Sequence, residues 1–267
     1  MLTIFVGCYL VLCLVCGIFQ RRLLYFPTKI PADEVVRVAA ENGFMPWKNP
    51  AGQIIGWKIP AAGPVTGSVL ITHGNGGSAS GRDYLAQPIH EAAAVDVFVL
   101  EYPGYGARPG PPNKTSFVAA AEEAFHLLPA GLPKYLVSES LGTGVAAELA
   151  KAHPGEVAGV AMFVPYQNLA SVAQRRFWFL PAYFVFLDRF DPSTCLQSYH
   201  GPVKFIVAGA DEVIGAAPGL RLAEGYRGPK ELQVFPEASH NQVSGQPPGW
   251  WREVFQFWQK NAAAGGK

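Results

Sequence analysis

The chain has 267 residues, room for one large α/β domain or two small ones, and its 21 Lys plus Arg against 20 Asp plus Glu leave a formal net charge of +1. So balanced a charge offers no field to draw nucleic acid, and a composition 49% hydrophobic and 15% charged excludes disorder and points to a large core with some surface suited to a non-aqueous neighbour. The four cysteines, Cys8, Cys13, Cys16 and Cys195, suggest neither a disulfide framework nor a metal site, because three of them share one apolar run.

That run opens the chain. Leu2 to Phe19 carries no charge, and eleven of its residues are Leu, Ile, Val or Phe. Each favours insertion by roughly 0.3 to 0.6 kcal/mol, so the segment is expected to cross a bilayer as one helix. A cleaved signal peptide is the competing reading, disfavoured because the run lacks a basic start and a small-residue cleavage site. Arg21 and Arg22 on the C-terminal flank bias the remainder of the chain toward the cytoplasm, though two charges set only a weak bias. Residues 1–22 are therefore expected to be a membrane anchor with the lipid bilayer as partner, and 23–267 one folded domain. The cysteines of the run offer acylation sites or simple packing.

Beyond Leu24, apolar strand-like runs alternate with helical ones, with Gly, Pro and Asn at the joins, the pattern of a mostly parallel sheet flanked by helices. Eight strands are expected. Val35 to Ala39 and Ile54 to Ile59 form a leading antiparallel pair, followed by Ser68 to Thr72, Val95 to Glu101, Lys134 to Ser138, Val157 to Val164, Val203 to Ala208 and Glu231 to Phe235. Helices are expected over Asp83 to Ala94, broken by Pro88, and over Ser116 to Leu128, Leu141 to His153 and Trp250 to Asn261. The last places Trp250, Val254 and Phe257 beside Trp251, Phe255 and Trp258, a core-packing face.

The chemistry concentrates after the Lys134 strand, where Tyr135-Leu136-Val137-Ser138-Glu139-Ser140-Leu141-Gly142-Thr143-Gly144 runs from strand directly into a small-residue helix. A nucleophile elbow of the G-x-S-x-G kind needs that context, with small residues two before and two after the serine so that the chain can pass itself. Ser140 fits, with Gly142 downstream and Ser138 standing where glycine is usual. Other motifs fail in context. Gly142-x-Gly144-x-x-Ala147 has dinucleotide-binding spacing but no acidic residue after the next strand, Gly76 to Gly81 has P-loop spacing but continues Arg82-Asp83, and His90-Glu91 lacks the second histidine of a zinc motif. No metal site is expected.

Of six histidines only His240 follows the last strand, and catalytic groups of open α/β sheets gather at the carboxyl ends of strands. The acid belongs between serine and histidine in the chain. Asp211, after the penultimate strand, is the first choice, with Glu212, Asp188 and Asp191 as substitutes. The oxyanion donors are assigned to the N–H groups of Leu141 and Asn75, the latter in the glycine-rich Thr72-His73-Gly74-Asn75-Gly76-Gly77 turn, where His73 ties the loop together. Glu101-Tyr102-Pro103-Gly104-Tyr105-Gly106 is expected to be a structural loop.

With Ser140, Asp211 and His240 in that order, and with the HGN and EYPGYG segments, the chain from about residue 24 onward resembles the α/β-hydrolase superfamily. The apolar N-terminus, Leu23-Leu24-Tyr25-Phe26-Pro27, the HGNGG loop and Asp188-Arg189-Phe190-Asp191 are similar to small membrane-anchored members related to protein depalmitoylases. The resemblance implies an esterase or thioesterase that needs no cofactor, on a scaffold shared with serine peptidases of the prolyl-oligopeptidase type. A catalytically silent binding protein of the same fold is the remaining alternative, hinted at by Ser138. In this fold the stretch Phe177 to Leu187 passes over the site. Its eleven uncharged residues suit either a buried helix interrupted by Pro181 or a wall for an acyl chain, and on the second reading Trp178 or Phe184 is expected to line the pocket.

Overall fold

The computed structural model describes residues 1–262, so the last five residues of the expected domain lie outside the described residues. Among the described residues there are ten strands: β1 (Phe26–Pro27), β2 (Met45–Lys48), β3 (Ile54–Ile59), β4 (Gly67–Thr72), β5 (Gly76–Gly77), β6 (Val95–Leu100), β7 (Lys134–Glu139), β8 (Val157–Phe163), β9 (Val203–Ala208) and β10 (Lys230–Phe235). The helices are α1 (Leu2–Ile18), α2 (Gln20–Leu24), α3 (Ala32–Glu41), α4 (Asp83–Ala92), α5 (Lys114–His126), α6 (Leu141–Ala152), α7 (Leu169–Arg176), α8 (Ala182–Val185), α9 (Pro192–Cys195), α10 (Ala216–Gly225) and α11 (Pro248–Ala262).

Eight strands form one sheet in the order β10-β9-β8-β7-β4-β6-β3-β2, parallel except at the β2–β3 and β3–β6 pairings, while β1 and β5 form a separate two-stranded ribbon. Every residue of β4 and β9 is buried, as expected of strands covered on both faces. Alternation along β4 splits the core: Leu70 joins Phe117, Val145 and Leu222 on the face of α5, α6 and α10, while Val69 and Ile71 join Leu85, Ile89, Trp251 and Val254 on the face of α4 and α11. Gly159 is required by that second face, since a Cβ there would lie 2.4 Å from the Trp258 ring. The chain leaves β4 toward β6 on one side and later returns to β7 on the other, so a crevice opens between the carboxyl ends of β4 and β7, where such sheets hold ligands.

The segment Val35 to Ala39 is not a strand but the middle of α3. Val35 and Ala39, four apart, are its buried residues, and Asp33 and Glu34 occupy the first turn, where acidic side chains favour a helix. The partner of β3 is instead β2, whose Pro46 is tolerated because β2 is the sheet edge. Pro88 lies within α4 without ending it.

The expected membrane crossing over Leu2 to Phe19 is also corrected. The 17 residues of α1, at about 1.5 Å each, fall short of a hydrocarbon layer of about 30 Å, and no helix among the described residues is long and apolar enough to cross a membrane. The helix stops because Phe19 leaves helical geometry (φ −95°, ψ 11°). Buried Gln20 then pins the chain to the far end of α8, its Oε1 accepting from the N–H groups of Leu187 (2.6 Å) and Asp188 (3.3 Å). No residue of α1 is buried, yet Cys13 and Cys16 pack against Val185 and Phe186, and the Tyr9 hydroxyl donates to the Phe179 carbonyl at 2.9 Å.

Candidate active site

The elbow between β7 and α6 brings the first group into the crevice. Ser140 has φ 50° and ψ −117°, one of only two non-glycine residues with positive φ among the described residues, and its N–H is held by the Phe163 carbonyl at 2.9 Å. Strain of this kind, about 1 to 3 kcal/mol, persists only where surroundings over-determine it. Gly142 supplies the tight contact: a Cβ there would lie 1.9 Å from the Thr72 carbonyl oxygen at the end of β4. The serine standing where the motif usually has glycine is accommodated, since buried Ser138 donates to the Ala161 carbonyl at 2.9 Å on the neighbouring strand.

His240, in the turn after β10, approaches from the other side, with Nε2 3.1 Å from Ser140 Oγ and Nδ1 2.8 Å from Asp211 Oδ2. Both the His240 and Asp211 side chains are buried, and Asp211 Oδ1 also accepts from the N–H groups of Val213 and Ile214 at 2.8 Å each. Burial alone would push the Asp211 carboxyl up, but the hydrogen bonds from His240 and those two amides outweigh it and hold it below its ordinary value. None of the substitutes bonds the His240 ring. Asp188 accepts from the Tyr25 hydroxyl and the Lys114 N–H, Asp191 caps α9, and Glu212 accepts from the backbone N–H of His240.

The two expected oxyanion donors flank Ser140. Leu141 is the first residue of α6, so its N–H is one of the groups that a helix start leaves unpaired, and among the described residues neither it nor the Asn75 N–H donates to another protein group. The Asn75 loop is clamped by the N-terminal segment, a link that no motif signalled. Asn75 Nδ2 donates to the Leu24 carbonyl (2.6 Å), its Oδ1 accepts from the Phe26 N–H (3.2 Å) and the Tyr105 hydroxyl (2.9 Å), and β1 pairs with β5 just beyond. His73 is a scaffold: its carbonyl accepts from Tyr102, its ring packs on Tyr102 and Tyr105, and burial holds its imidazole below the ordinary histidine value. Residues 101–106 form the expected structural loop, with Gly104 and Gly106 at positive φ. Glu139, beside the elbow, is fixed by Tyr84 (2.8 Å), Ser244 (2.6 Å) and Arg82 (3.5 Å), a buried network that only tertiary folding assembles.

Two cavities meet at Ser140. One, of about 320 Å³, is walled by Leu23, Leu24, Leu169, Val172, Phe177 and Ile214, among others. The second, of about 550 Å³, is lined by Gly74 to Ser78, Arg82, His240 and Asn241. Trp178 and Phe184, expected in the pocket wall, do not line it; they are 79% and 83% exposed. Pro181 breaks the stretch and leaves α8 a single turn whose inward positions are Ala182 and Val185, so Phe184 points outward. Of the stretch 177–187, only Phe177 reaches the cavity.

No family model matches the chain. An uncharacterized protein of Mycobacterium tuberculosis is 31% identical over 239 residues, covering 83% of this chain and 80% of that protein. Among solved structures, an esterase of Pyrococcus furiosus superposes with a TM-score of 0.65 at 15% identity, covering 89% of this chain and 99% of the esterase. A monoacylglycerol lipase of Paleococcus ferrophilus gives a TM-score of 0.55 at 20% identity, covering 78% of this chain and 98% of the lipase. Both likenesses are likenesses of fold. The chain belongs to the family of the mycobacterial protein, and its fold is the α/β-hydrolase fold.

Proposed function

We propose that the chain is a serine hydrolase that cleaves acyl esters or thioesters through an acyl-enzyme on Ser140. The observation that carries this reading is the continuous relay Ser140 Oγ–His240 Nε2 (3.1 Å) and His240 Nδ1–Asp211 Oδ2 (2.8 Å), beside an apolar cavity. Ser140 Oγ attacks the carbonyl carbon as its proton passes to His240 Nε2, and the Asp211 carboxylate stabilises the imidazolium. The oxyanion forms between the N–H groups of Asn75 and Leu141, each donor worth about 3 to 4 kcal/mol in the transition state. The bond to the leaving oxygen or sulfur then breaks as Nε2 returns the proton to it. Water repeats the sequence on the acyl-enzyme, releasing the acid.

The leaving group takes its proton from His240 and therefore belongs in the cavity that His240 lines. The acyl group is left with the apolar cavity. We further assign the protein to a lipid surface, at its cytoplasmic face, with kinship to depalmitoylases. Support comes from α1, apolar and without a buried residue, and from the exposed Trp178, Phe179, Tyr183, Phe184 and Leu187 beside it. The test is fluorophosphonate labelling followed by turnover of an acyl ester and thioester panel. Ser140→Ala should abolish both with the fold retained, and undiminished labelling of the folded variant would refute the assignment.

A further inference from the structure

The cavity assigned to the acyl group is apolar at nearly every wall, yet two cations, Arg22 and Arg176, also line it, and no carboxylate does. They arise from different helices, α2 and α7, so neither is there as a consequence of the other's local sequence. Their chain neighbours are engaged: Arg21 lies 3.8 Å from Asp188, and Arg175 donates to the Ile214 carbonyl at 2.5 Å. Arg22 and Arg176 have no acidic partner in an ion pair among the described residues, and Arg22 lies over the Phe19 ring as a cation–π contact. Both side chains are exposed and so stand at the open rim of the cavity, where their N–H groups are free to donate to an anion.

We propose that Arg22 and Arg176 recognise an anionic group, a carboxylate or a phosphate, carried by the acyl portion of the substrate. This rests on the reading that Ser140 is acylated, because the stereochemistry of that step is what sends the acyl group to this cavity and the leaving group to the side of His240. The preferred substrates are then esters whose chain is apolar next to the reacting carbonyl and charged at its far end. A wholly hydrocarbon chain fills the walls and leaves both cations unanswered. The other source of the same chemistry is the anionic headgroup of a lipid surface beneath α1, and the experiment separates the two.

The full-length protein in neutral detergent is assayed with p-nitrophenyl hexanoate and octanoate, and with the mono-p-nitrophenyl esters of adipate and suberate, which match them in length and add a terminal carboxylate. The readout is the ratio of kcat/KM for the charged over the uncharged ester, so any general effect of a variant cancels. The ratio should be about three- to fivefold, the scale for charge pairs at an exposed rim, and should decline with salt. Arg22→Gln and Arg176→Gln should each remove most of it, Arg176→Lys should retain part, and Arg21→Gln should leave it as it is. A ratio near one in the wild type, or one undiminished in both glutamine variants, overturns the inference while ester hydrolysis stands. Turnover of none of the four esters overturns the underlying reading instead. If the glutamine variants lose binding to phosphatidylglycerol vesicles with the ratio unchanged, the headgroup is the ligand and the acyl-anion assignment is wrong.

Discussion

Asn75→Ala tests whether the N-terminal segment holds the oxyanion loop. The substitution removes three side-chain hydrogen bonds: to the Leu24 carbonyl (2.6 Å), from the Phe26 N–H (3.2 Å) and from the Tyr105 hydroxyl (2.9 Å). Phe26 is exposed, so water can satisfy its amide, but Tyr105 is fully buried and its hydroxyl would be orphaned. At about 1 kcal/mol per bond and roughly 1 to 3 kcal/mol for an unsatisfied buried group, the fold should lose about 2 to 4 kcal/mol. For a domain of this size that is a fall in Tm of roughly 5 to 15 °C. Losing an oxyanion donor outright lowers kcat by about 10² to 10³. The residue 75 N–H survives here but is loosened, so an intermediate fall of about 10- to 100-fold is expected, in kcat with little change in KM, because the donor acts in the transition state. Steady-state kinetics on a p-nitrophenyl ester with a thermal melt read both effects. A kcat within twofold of wild type despite a lowered Tm would mean that the loop keeps its place without the clamp. An unchanged Tm would refute the energetic reasoning itself.

Asp211→Asn should leave the fold intact and lower turnover by about 10⁴-fold, as for a triad aspartate that loses its grip on the imidazole; a near-normal rate would remove Asp211 from the mechanism. The same variant has a pH signature. Because the folded carboxyl is held below its ordinary value, its stabilisation is complete above the unfolded value of about 4 and is lost as pH falls through the folded one. The Tm gap between wild type and Asp211→Asn should therefore narrow in acid below about pH 4, and a constant gap there would contradict the assignment. Two N-terminal truncations should part company. Removal of residues 1–18 takes away α1 and its exposed apolar surface and should give a more soluble, active chain, whereas removal through residue 25 also takes the Leu24 carbonyl and buried Tyr25 and should destroy activity, read by fluorophosphonate labelling of the purified chains.

Strands buried on both faces were legible because their apolar runs report burial directly, as for Val69 to Ile71 and Phe205 to Ala208. The Val-Val-Arg-Val-Ala run misleads because β-branched residues crowd a helix whose apolar face is only Val35 and Ala39, while the true edge strand hides behind Pro46. Helix α10 is masked in the same way by Pro218 and Gly219 in its first turn, where a missing N–H costs nothing. Ser140, Asp211 and His240 were readable because each sits just past a strand, so one local pattern and a chain order bring them to one end of the sheet.

The cavity wall has no such local signature. It draws on residues 22–26, 169–177 and 213–214, and no periodicity in any one of these segments says that they converge. The aromatic stretch draws attention to Trp178 and Phe184 because hydropathy registers side chains, whereas the direction each takes is fixed by Pro181 and by the single turn of α8. The N-terminal run shows the same limit more strongly. Its hydropathy reports a transfer free energy, which is the same whether its flank is an inert tether or part of the site. What distinguishes the two is a pair of hydrogen bonds between Leu24, Phe26 and Asn75, partners about fifty positions apart, together with Gln20 reaching residues 187 and 188. Those contacts make the segment that carries the apolar helix also one wall of the cavity at Ser140 and a support of the Asn75 loop. The apolar helix and the cavity at Ser140 are therefore joined through residues 20–26.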